Sequence, residues 1–180
     1  MRGGISKSQE MVINAQWMKI CESIIEMAEQ MAKEHAELKD GDASNFVMTL
    51  ASLVAMCDVS GSMSGLPMEV AIALSILLSE MTHESFRDLI LSFSSDPVWE
   101  DLKGCNGLVQ KVQKLQRSNW GMSTDFYKAM SRIASVVETS GLTAEQTPDL
   151  VVFSDMQFDS ARGSGGNSYG QPESWDTMHE

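Results

Sequence analysis

Apolar residues recur along the first part of the chain at the spacing of an amphipathic helix. Over residues 8–38 they return every three or four positions, and glutamates occupy much of the remaining surface. The predicted apolar stripe consists of Met11, Ala15, Met18, Cys21, Ile25, Ala28, Met31, His35 and Leu38. Two interpretations stay open: the stripe packs on the rest of this chain, or it binds a partner or belongs to a larger preceding domain. We therefore treat residues 1–44 as a separate N-terminal amphipathic helix.

After a polar break near Gly41, apolar blocks alternate with amphipathic ones. Strands are predicted at residues 46–57, 86–93, 98–102 and 149–153. Helices are predicted to begin at Pro67, Asn106 and Thr124. The first of these helices is expected to bury Val70, Ala71, Leu74, Leu77, Leu78 and Met81. This alternation predicts an α/β fold over residues 45–180, with a doubly wound, mostly parallel sheet and helices on both of its faces.

The stretch that organises this domain is M-C-D-V-S-G-S-M-S-G at residues 56–65. It places Asp58, Ser60 and Ser62 two positions apart, directly after an apolar strand and just before a helix. Open α/β folds bind ligands in the loops at the carboxyl ends of their strands. Carboxylate and hydroxyl oxygens suit a hard cation such as Mg²⁺, and Gly61 is expected to allow the tight turn between the serines. The stretch therefore predicts a metal-dependent binding site.

Two further motifs follow downstream, in an order that matches a known family. The segment N-W-G-M-S-T-D carries Thr124, and D-L-V-V-F-S-D is a second apolar strand that ends in Asp155. Together with D-x-S-x-S at residues 58–62, they resemble the von Willebrand factor A family and its metal-ion-dependent adhesion site. The phrases D-V-S-G-S-M-S-G-x-P-M-E-V, W-G-M-x-T-D-F and V-F-S-D-M-Q-F-D look like the A-type domain that ends a family of uncharacterised plant, protist and viral proteins. This resemblance covers residues 45–178.

The resemblance implies a Rossmann-like fold and a division of roles in the site. It implies that Ser60, Ser62 and Thr124 bind Mg²⁺ or Mn²⁺ directly, whereas Asp58 and Asp155 act mainly through bound waters. Directly bound ligands that are mostly neutral leave the ion electrophilic, with one position open. The expected sixth ligand is a carboxylate from an acidic residue of a partner protein.

The resemblance also concerns the surroundings of the site. The first and last strands are expected to be neighbours, and the strand at residues 98–102 is expected to be an antiparallel edge. Trp120 and Met122 lie beside the expected cleft, where they contact the partner or pack locally. The chain departs from the family near its end, because A-type domains continue with further strand and helix units. We expect either a fragment or a sheet that ends early.

Composition and charge narrow the range of partners. The 180 residues are 43% hydrophobic and 21% charged, as expected for one globular domain. The net charge of −12, with no visible basic stripe, argues against nucleic acid. No run approaches the ~18 apolar residues of a membrane span, and no apolar secretory signal opens the sequence. We expect an intracellular, cytoplasmic protein that binds neither nucleic acid nor membrane.

Cysteine usage and the remaining motifs leave two alternatives to a binding module. Cys21, Cys57 and Cys105 are odd in number and lack zinc spacing, which disfavours both disulfides and a zinc site. A strand-end Asp58 beside Mg²⁺ is compatible with a metal-dependent hydrolase or phosphotransferase. A structural domain with a non-functional site is the other alternative. We favour a non-enzymatic module that binds a protein, whose identity and oligomeric state the residues do not determine.

Overall fold

The computed structural model describes residues 5–38, 52–118 and 125–155, and each strand and helix predicted within these ranges is present. The helices are α1 (Lys7–Leu38), α2 (Leu66–Met81), α3 (Leu108–Arg117) and α4 (Phe126–Ser140). The strands are β1 (Leu53–Cys57), β2 (Leu89–Ser92), β3 (Trp99–Asp101) and β4 (Asp149–Phe153). Single turns of 3₁₀ helix occupy Gly61–Met63 and Ala144–Gln146. Within the described ranges, no helix combines the length and the apolarity that crossing a membrane requires.

The described strands form one mixed sheet in the order β3-β2-β1-β4. β1 pairs in parallel with β2 and with β4, and β3 pairs antiparallel with β2 at the edge. Cys57, the last residue of β1, lies opposite Ser92 of β2 and Phe153 of β4. The carboxyl ends of these three strands therefore meet at one edge of the sheet. The predicted mostly parallel sheet, the neighbouring first and last strands and the antiparallel edge are confirmed.

Helices cover both faces of the sheet, and alternate residues of β1 are buried in the two cores that result. The core toward α2 and α3 contains the buried residues Ala55, Cys57, Met63, Ala71, Ile72, Ile76, Ile90, Leu102 and Leu115. The core toward α4 contains the buried residues Val54, Met56, Phe86, Leu91, Phe93, Ala129 and Ile133. A strand turns successive side chains to opposite faces. An almost wholly apolar β1 is thus explained by burial on both sides, as predicted.

The strands are shorter than the apolar blocks that predict them. β1 begins at Leu53, and the predicted residues 46–51 lie outside the described ranges. β2 begins at Leu89, because the chain before it forms a turn in which the Phe86 N–H donates to the His83 carbonyl at 2.9 Å. Phe86 is nevertheless fully buried. An apolar residue in a turn fills the core as well as one in a strand, so the apolar pattern overestimates the length of β2.

α2 buries a face that only partly matches the predicted one, because Ala71 is buried and Leu78 packs against the core, as predicted. Its buried residues are Ala71, Ile72, Ser75, Ile76 and Ser79. The predicted Val70 and Leu74 are 46% and 39% exposed, so that part of the prediction is wrong. Apolar residues surround most of this helix, and periodicity alone therefore does not select a face. The buried face combines Ile72 and Ile76 with the small side chains of Ala71, Ser75 and Ser79.

α1 attaches to the domain along a face that the predicted stripe only partly includes. Met11, Met18 and Ile25 are 72%, 61% and 45% exposed, so these residues do not pack on the rest of the described chain, and the alternative that the stripe binds a partner stays open. Of the same stripe, Ala28 is buried and Cys21 is half-buried, and the side chains of Met31, His35 and Leu38 lie outside those described. Trp17 and Cys21 of α1 donate hydrogen bonds to α2, and the side chains of Asn14 and Glu10 accept hydrogen bonds from α3. The attached face therefore combines polar pairing with the packing of the Trp17 ring on the core.

Candidate functional site

Asp58 follows β1 directly, at the edge where the carboxyl ends of the strands meet. Its backbone N–H donates to the Phe153 carbonyl at 2.9 Å, which continues the β1–β4 pairing beyond Cys57. The residue is 1% exposed. The sheet register therefore holds the Asp58 carboxylate in a buried position beside the end of β4.

Both oxygens of the Asp58 carboxylate accept hydrogen bonds from neutral donors. Oδ1 accepts from the Ser60 N–H at 2.8 Å, and Oδ2 accepts from the Ser154 hydroxyl at 2.8 Å. Among the residues that the structure describes, no basic side chain forms an ion pair with Asp58. Buried carboxylates are usually paired with a cation or bound to a metal. Asp58 is thus a buried acid whose described partners carry no positive charge.

Ser60 and Ser62 bring two hydroxyl groups together at the start of the loop. The two residues meet at the 3₁₀ turn Gly61–Met63, and their hydroxyls form a hydrogen bond that holds the Oγ atoms 2.9 Å apart. Ser62 is exposed and Ser60 is half-buried, whereas Met63 is 4% exposed and anchors the turn to the core. Adjacent ligands of an octahedral Mg²⁺, with bonds of about 2.0–2.1 Å, are about 2.9 Å apart. The observed spacing matches two neighbouring ligand positions on one ion.

The demanding backbone position in this loop is Gly65 rather than Gly61. Gly61 has no positive φ, and a Cβ built on it meets no atom within 4 Å, so the expected need for glycine there is wrong. Gly65 has a φ of 93° and a ψ of −142° at the N-cap of α2, a conformation that side chains disfavour. Its carbonyl accepts the Glu69 N–H at 3.2 Å, and Pro67 follows in the first turn, as predicted.

Asp155 lies at the same sheet edge as Asp58. It is exposed and stands two residues beyond Phe153, the residue that pairs with Cys57. Its neighbour Ser154 donates a hydrogen bond to Asp58. The structure therefore brings the segment that carries the second predicted aspartate against the first one.

The loop between α3 and α4 reaches this edge at its described end. Outside the described residues lie Thr124, Trp120 and Met122. The following residue, Asp125, donates its N–H to the Ser94 carbonyl at 3.3 Å, just beyond β2. The Asp125 side chain accepts the Lys128 N–H at 3.1 Å and so caps α4. Thr124 is one residue away from this anchor, and its role as a ligand stays a prediction.

Ser154 is a residue of the site that the sequence motifs miss. Its hydroxyl supplies one of the two hydrogen bonds to the Asp58 carboxylate. The signal lies in the register of the sheet. Cys57 and Phe153 are aligned in parallel strands, so the residues that follow them, Asp58 and Ser154, are neighbours. The adhesion-site motif contains Asp155 but not Ser154, so the motif alone does not predict this contact.

The described donors at this edge are oxygens. Within the described ranges, no three His, Cys, Asp or Glu side chains come together in a group that could hold a metal ion. Cys57 precedes Asp58, but burial raises the pKa of its thiol to about 12, and the charge of Asp58 adds to that effect. A protonated thiol is a poor metal ligand. A cation at this edge would depend on Asp58 and on the hydroxyls of Ser60 and Ser62.

A second polar group, which we call the Lys111 cluster, connects α1, α2 and α3 through two acids and a lysine. It comprises Trp17, Cys21, Glu80, Asp88 and Lys111. The Lys111 Nζ lies 2.8 Å from Oε1 of Glu80 and 2.5 Å from Oδ1 of Asp88. The other Glu80 oxygen accepts from the Trp17 indole at 3.0 Å and from the Cys21 thiol at 3.4 Å. Asp88 precedes β2, and Asp58 follows the parallel strand β1. The cluster therefore lies toward the amino ends of the parallel strands, and the Asp58 site lies at their carboxyl ends.

Comparisons with known proteins agree with the viral and uncharacterised relatives expected from the motifs. "Uncharacterized protein L728" of Acanthamoeba polyphaga mimivirus is 37% identical over 131 residues, which is 68% of this chain. The chain spans 22% of the length of that curated relative. No solved structure matches this chain. The resemblance to von Willebrand factor A domains stays a prediction. Residues 52–180 match the family described as "Domain of unknown function (DUF7788)", and the chain therefore belongs to the DUF7788 family.

Proposed function

We propose that this domain is a metal-dependent protein-binding module, in which Mg²⁺ or Mn²⁺ at the carboxyl edge of the sheet receives an acidic residue of a partner. One observation carries the proposal. A buried Asp58 carboxylate without a described counter-ion lies beside two hydroxyl groups whose Oγ atoms are 2.9 Å apart. This combination of charge and spacing suits a hard cation with oxygen ligands.

The burial of the Asp58 carboxylate has an electrostatic cost. Removing a carboxylate from water is unfavourable unless hydrogen bonds or an opposite charge compensate. The Ser60 N–H and the Ser154 hydroxyl supply two hydrogen bonds to Asp58, but both groups are neutral. A divalent cation next to these groups would supply the missing positive charge. The acidic chain, with a net charge of −12, favours the approach of such a cation.

The residues of the loop take separate roles in this proposal. Ser60 and Ser62 offer hydroxyl oxygens to the ion, with Thr124 as a third predicted ligand. Asp58 is held in one orientation by its two hydrogen bonds and, with Asp155, orients waters around the ion. The bound ion supplies an electrophilic position that a carboxylate can occupy. Because Ser62 is exposed, this position is open to another protein.

The burial of Asp58 favours binding over phosphotransfer. A nucleophilic carboxylate must expose a lone pair to the reacting phosphorus atom. Asp58 is 1% exposed, and each of its oxygens already accepts a hydrogen bond. These contacts suit a residue that positions other groups rather than one that attacks a substrate.

The test is a magnesium titration of the intact chain followed by isothermal calorimetry and by thermal unfolding. We expect saturable binding and a stabilisation of about 2.7 kcal/mol at 100 times the dissociation constant. The double variant Ser60→Ala/Ser62→Ala is expected to lose both signals. Ser64→Ala is the matched control from the same loop, because the Ser64 hydroxyl donates to the Gly61 carbonyl rather than facing the other two hydroxyls.

Two results would redirect the interpretation. If the unaltered chain does not bind Mg²⁺ or Mn²⁺ and gains no stability from either ion, the domain has a structural role with a non-functional site. If it hydrolyses a simple phosphate ester and Asp58→Asn removes that turnover, the domain is an enzyme. Metal binding with no turnover supports the proposed module.

A further inference from the structure

α1 carries two apolar stripes that the rest of the described chain does not cover. The first, which we call the Met18 stripe, consists of Met11, Met18 and Ile25, which are 72%, 61% and 45% exposed. The second, the Ile20 stripe, consists of Ile13, Ile20 and Met27; Ile20 and Met27 are 48% and 62% exposed, and Ile13 is half-buried. The attached face, with Trp17 and Cys21, lies between the two stripes.

The spacing within each stripe is seven residues, which is close to two helical turns. Side chains with this spacing form a nearly straight line along the helix and drift by only about 20° per heptad. A straight apolar line suits a second helix that lies alongside at a shallow angle. From Met11 to Ile25 the Met18 stripe is about 21 Å long at 1.5 Å per residue.

The charges at the ends of the Met18 stripe identify the helix that fits it. Lys7 lies one helical turn before Met11, and Glu29 lies one turn after Ile25; both are exposed. A two-fold axis at Met18 exchanges residues that are equally distant from it. Met11 and Ile25 are each seven residues from Met18, so the axis places Met11 of one copy opposite Ile25 of the other. Lys7 and Glu29 are each eleven residues from Met18, so these two residues face each other as well.

An antiparallel copy of α1 thus meets apolar with apolar side chains and positive with negative ones at both ends. A parallel copy would instead place Lys7 opposite Lys7 and Glu29 opposite Glu29, which is repulsive. The Ile20 stripe lacks this complementarity, because an axis at Ile20 exchanges Gln9 with Met31. Charge complementarity therefore distinguishes the Met18 stripe from its neighbour.

We propose that two copies of this chain associate through α1, antiparallel, with Met18 of each copy at the two-fold axis. The interface is isologous, as in most soluble homodimers. It uses a surface separate from the Asp58 edge, so the proposal does not depend on metal binding. The dimer presents two Asp58 edges to its partners.

Sedimentation of the full chain over about 1–100 μM tests the association. We expect a dimer, at twice the chain mass of 19.8 kDa. Met18→Glu places two carboxylates against each other at the axis and is expected to give a monomer. Ile20→Glu is the matched control on the other stripe and is expected to remain dimeric. Circular dichroism of both variants checks that α1 remains helical.

A charge exchange tests the antiparallel register directly. Lys7→Glu and Glu29→Lys are each expected to weaken the dimer about fivefold or more at low salt, and the double variant is expected to recover most of the loss. A chain that stays monomeric at the highest concentration would overturn the proposal and assign the stripe to another protein. Equal effects of Met18→Glu and Ile20→Glu, or no recovery in the double variant, would overturn it as well.

Discussion

The Asp58 site and the Lys111 cluster both hold acids that are at least partly buried, but within the described part of the chain only the acids of the cluster pair with a cation. Lys111, which is 7% exposed, pairs with both Glu80 and Asp88. Asp58, which is 1% exposed, accepts hydrogen bonds from a backbone amide and a hydroxyl. The cluster is complete within the chain and serves the fold. Among the described residues no cation pairs with Asp58, which is the observation that supports the proposed metal site.

The two sites also differ in what they connect. The Lys111 cluster links three helices, because Trp17 and Cys21 of α1 donate to the Glu80 oxygen that Lys111 does not use. The Asp58 site links the ends of two neighbouring strands through Ser154. Variants of the cluster should therefore change stability, whereas variants of the Asp58 site should change the response to metal.

The largest effect is expected for Lys111→Met. The substitution leaves Glu80 and Asp88 without their cation in a partly buried position. Breaking a buried ion pair from one side costs about 3–5 kcal/mol. Urea unfolding of the variant and the unaltered chain, both in chelator, measures the difference. A loss below about 1 kcal/mol, as for an exposed ion pair, would contradict the structural role of the cluster.

The free energies of unfolding of the unaltered chain and of Lys111→Met should become more similar at alkaline pH. Burial by itself would lower the pKa of Lys111, but the hydrogen bonds and charges of Asp88 and Glu80 outweigh burial and raise it above the ordinary 10.5. A raised pKa in the folded state means that the stabilisation is complete below pH 10.5 and is lost as the pH rises through the raised value. The stability gap to Lys111→Met should therefore shrink as the pH rises from 10.5 through the raised pKa of Lys111. A gap that stays constant over this range would contradict the assignment.

A smaller effect, about 1.5 kcal/mol, is expected for Trp17→Phe. The substitution keeps an aromatic ring but removes the indole N–H that donates to Glu80 at 3.0 Å. Trp99→Phe is the matched control, because the structure gives the half-buried Trp99 a ring contact with Phe86 and no hydrogen bond from its indole to the described residues. Equal losses in both variants would mean that ring volume, rather than the hydrogen bond, attaches α1.

The smallest effect on stability is expected for Asp58→Asn in chelator, a change below about 0.5 kcal/mol. The amide oxygen can still accept the Ser60 N–H, and the amide nitrogen can donate to the Ser154 hydroxyl. Glu80→Gln is the comparison: it removes one charge from the ion pair with Lys111 and should cost about 1–2 kcal/mol. A large loss for Asp58→Asn without metal would show that the carboxylate stabilises the fold by itself.

The order of the elements was predictable because strands and helices impose their own periods on the sequence. β4 has the predicted bounds, and β1 pairs with it as expected. The buried face of α2 was not predictable from periodicity, since apolar residues surround the helix and its buried face includes two serines, Ser75 and Ser79. The attached face of α1 depends on a tryptophan, a cysteine and a distant glutamate that only the folded chain brings together.

The candidate site was predictable to the extent that its residues carry a motif. Asp58, Ser60 and Ser62 lie in one loop, and their spacing in sequence becomes proximity in the structure. Ser154 escaped prediction because its role depends on the β1–β4 register. Gly61 was wrongly assigned the strained position, since the start of α2 places that strain on Gly65.

The most direct test of the metal-binding proposal is the anomalous scattering of Mn²⁺ in crystals of this chain. The account predicts one ion at bonding distance from the hydroxyl oxygens of both Ser60 and Ser62, with water between the ion and Asp58. The same crystals of Ser60→Ala/Ser62→Ala should lack this peak. An ion bound elsewhere, or no ion at this edge at millimolar Mn²⁺, would contradict the central claim that Asp58 lacks a cation because the site receives one.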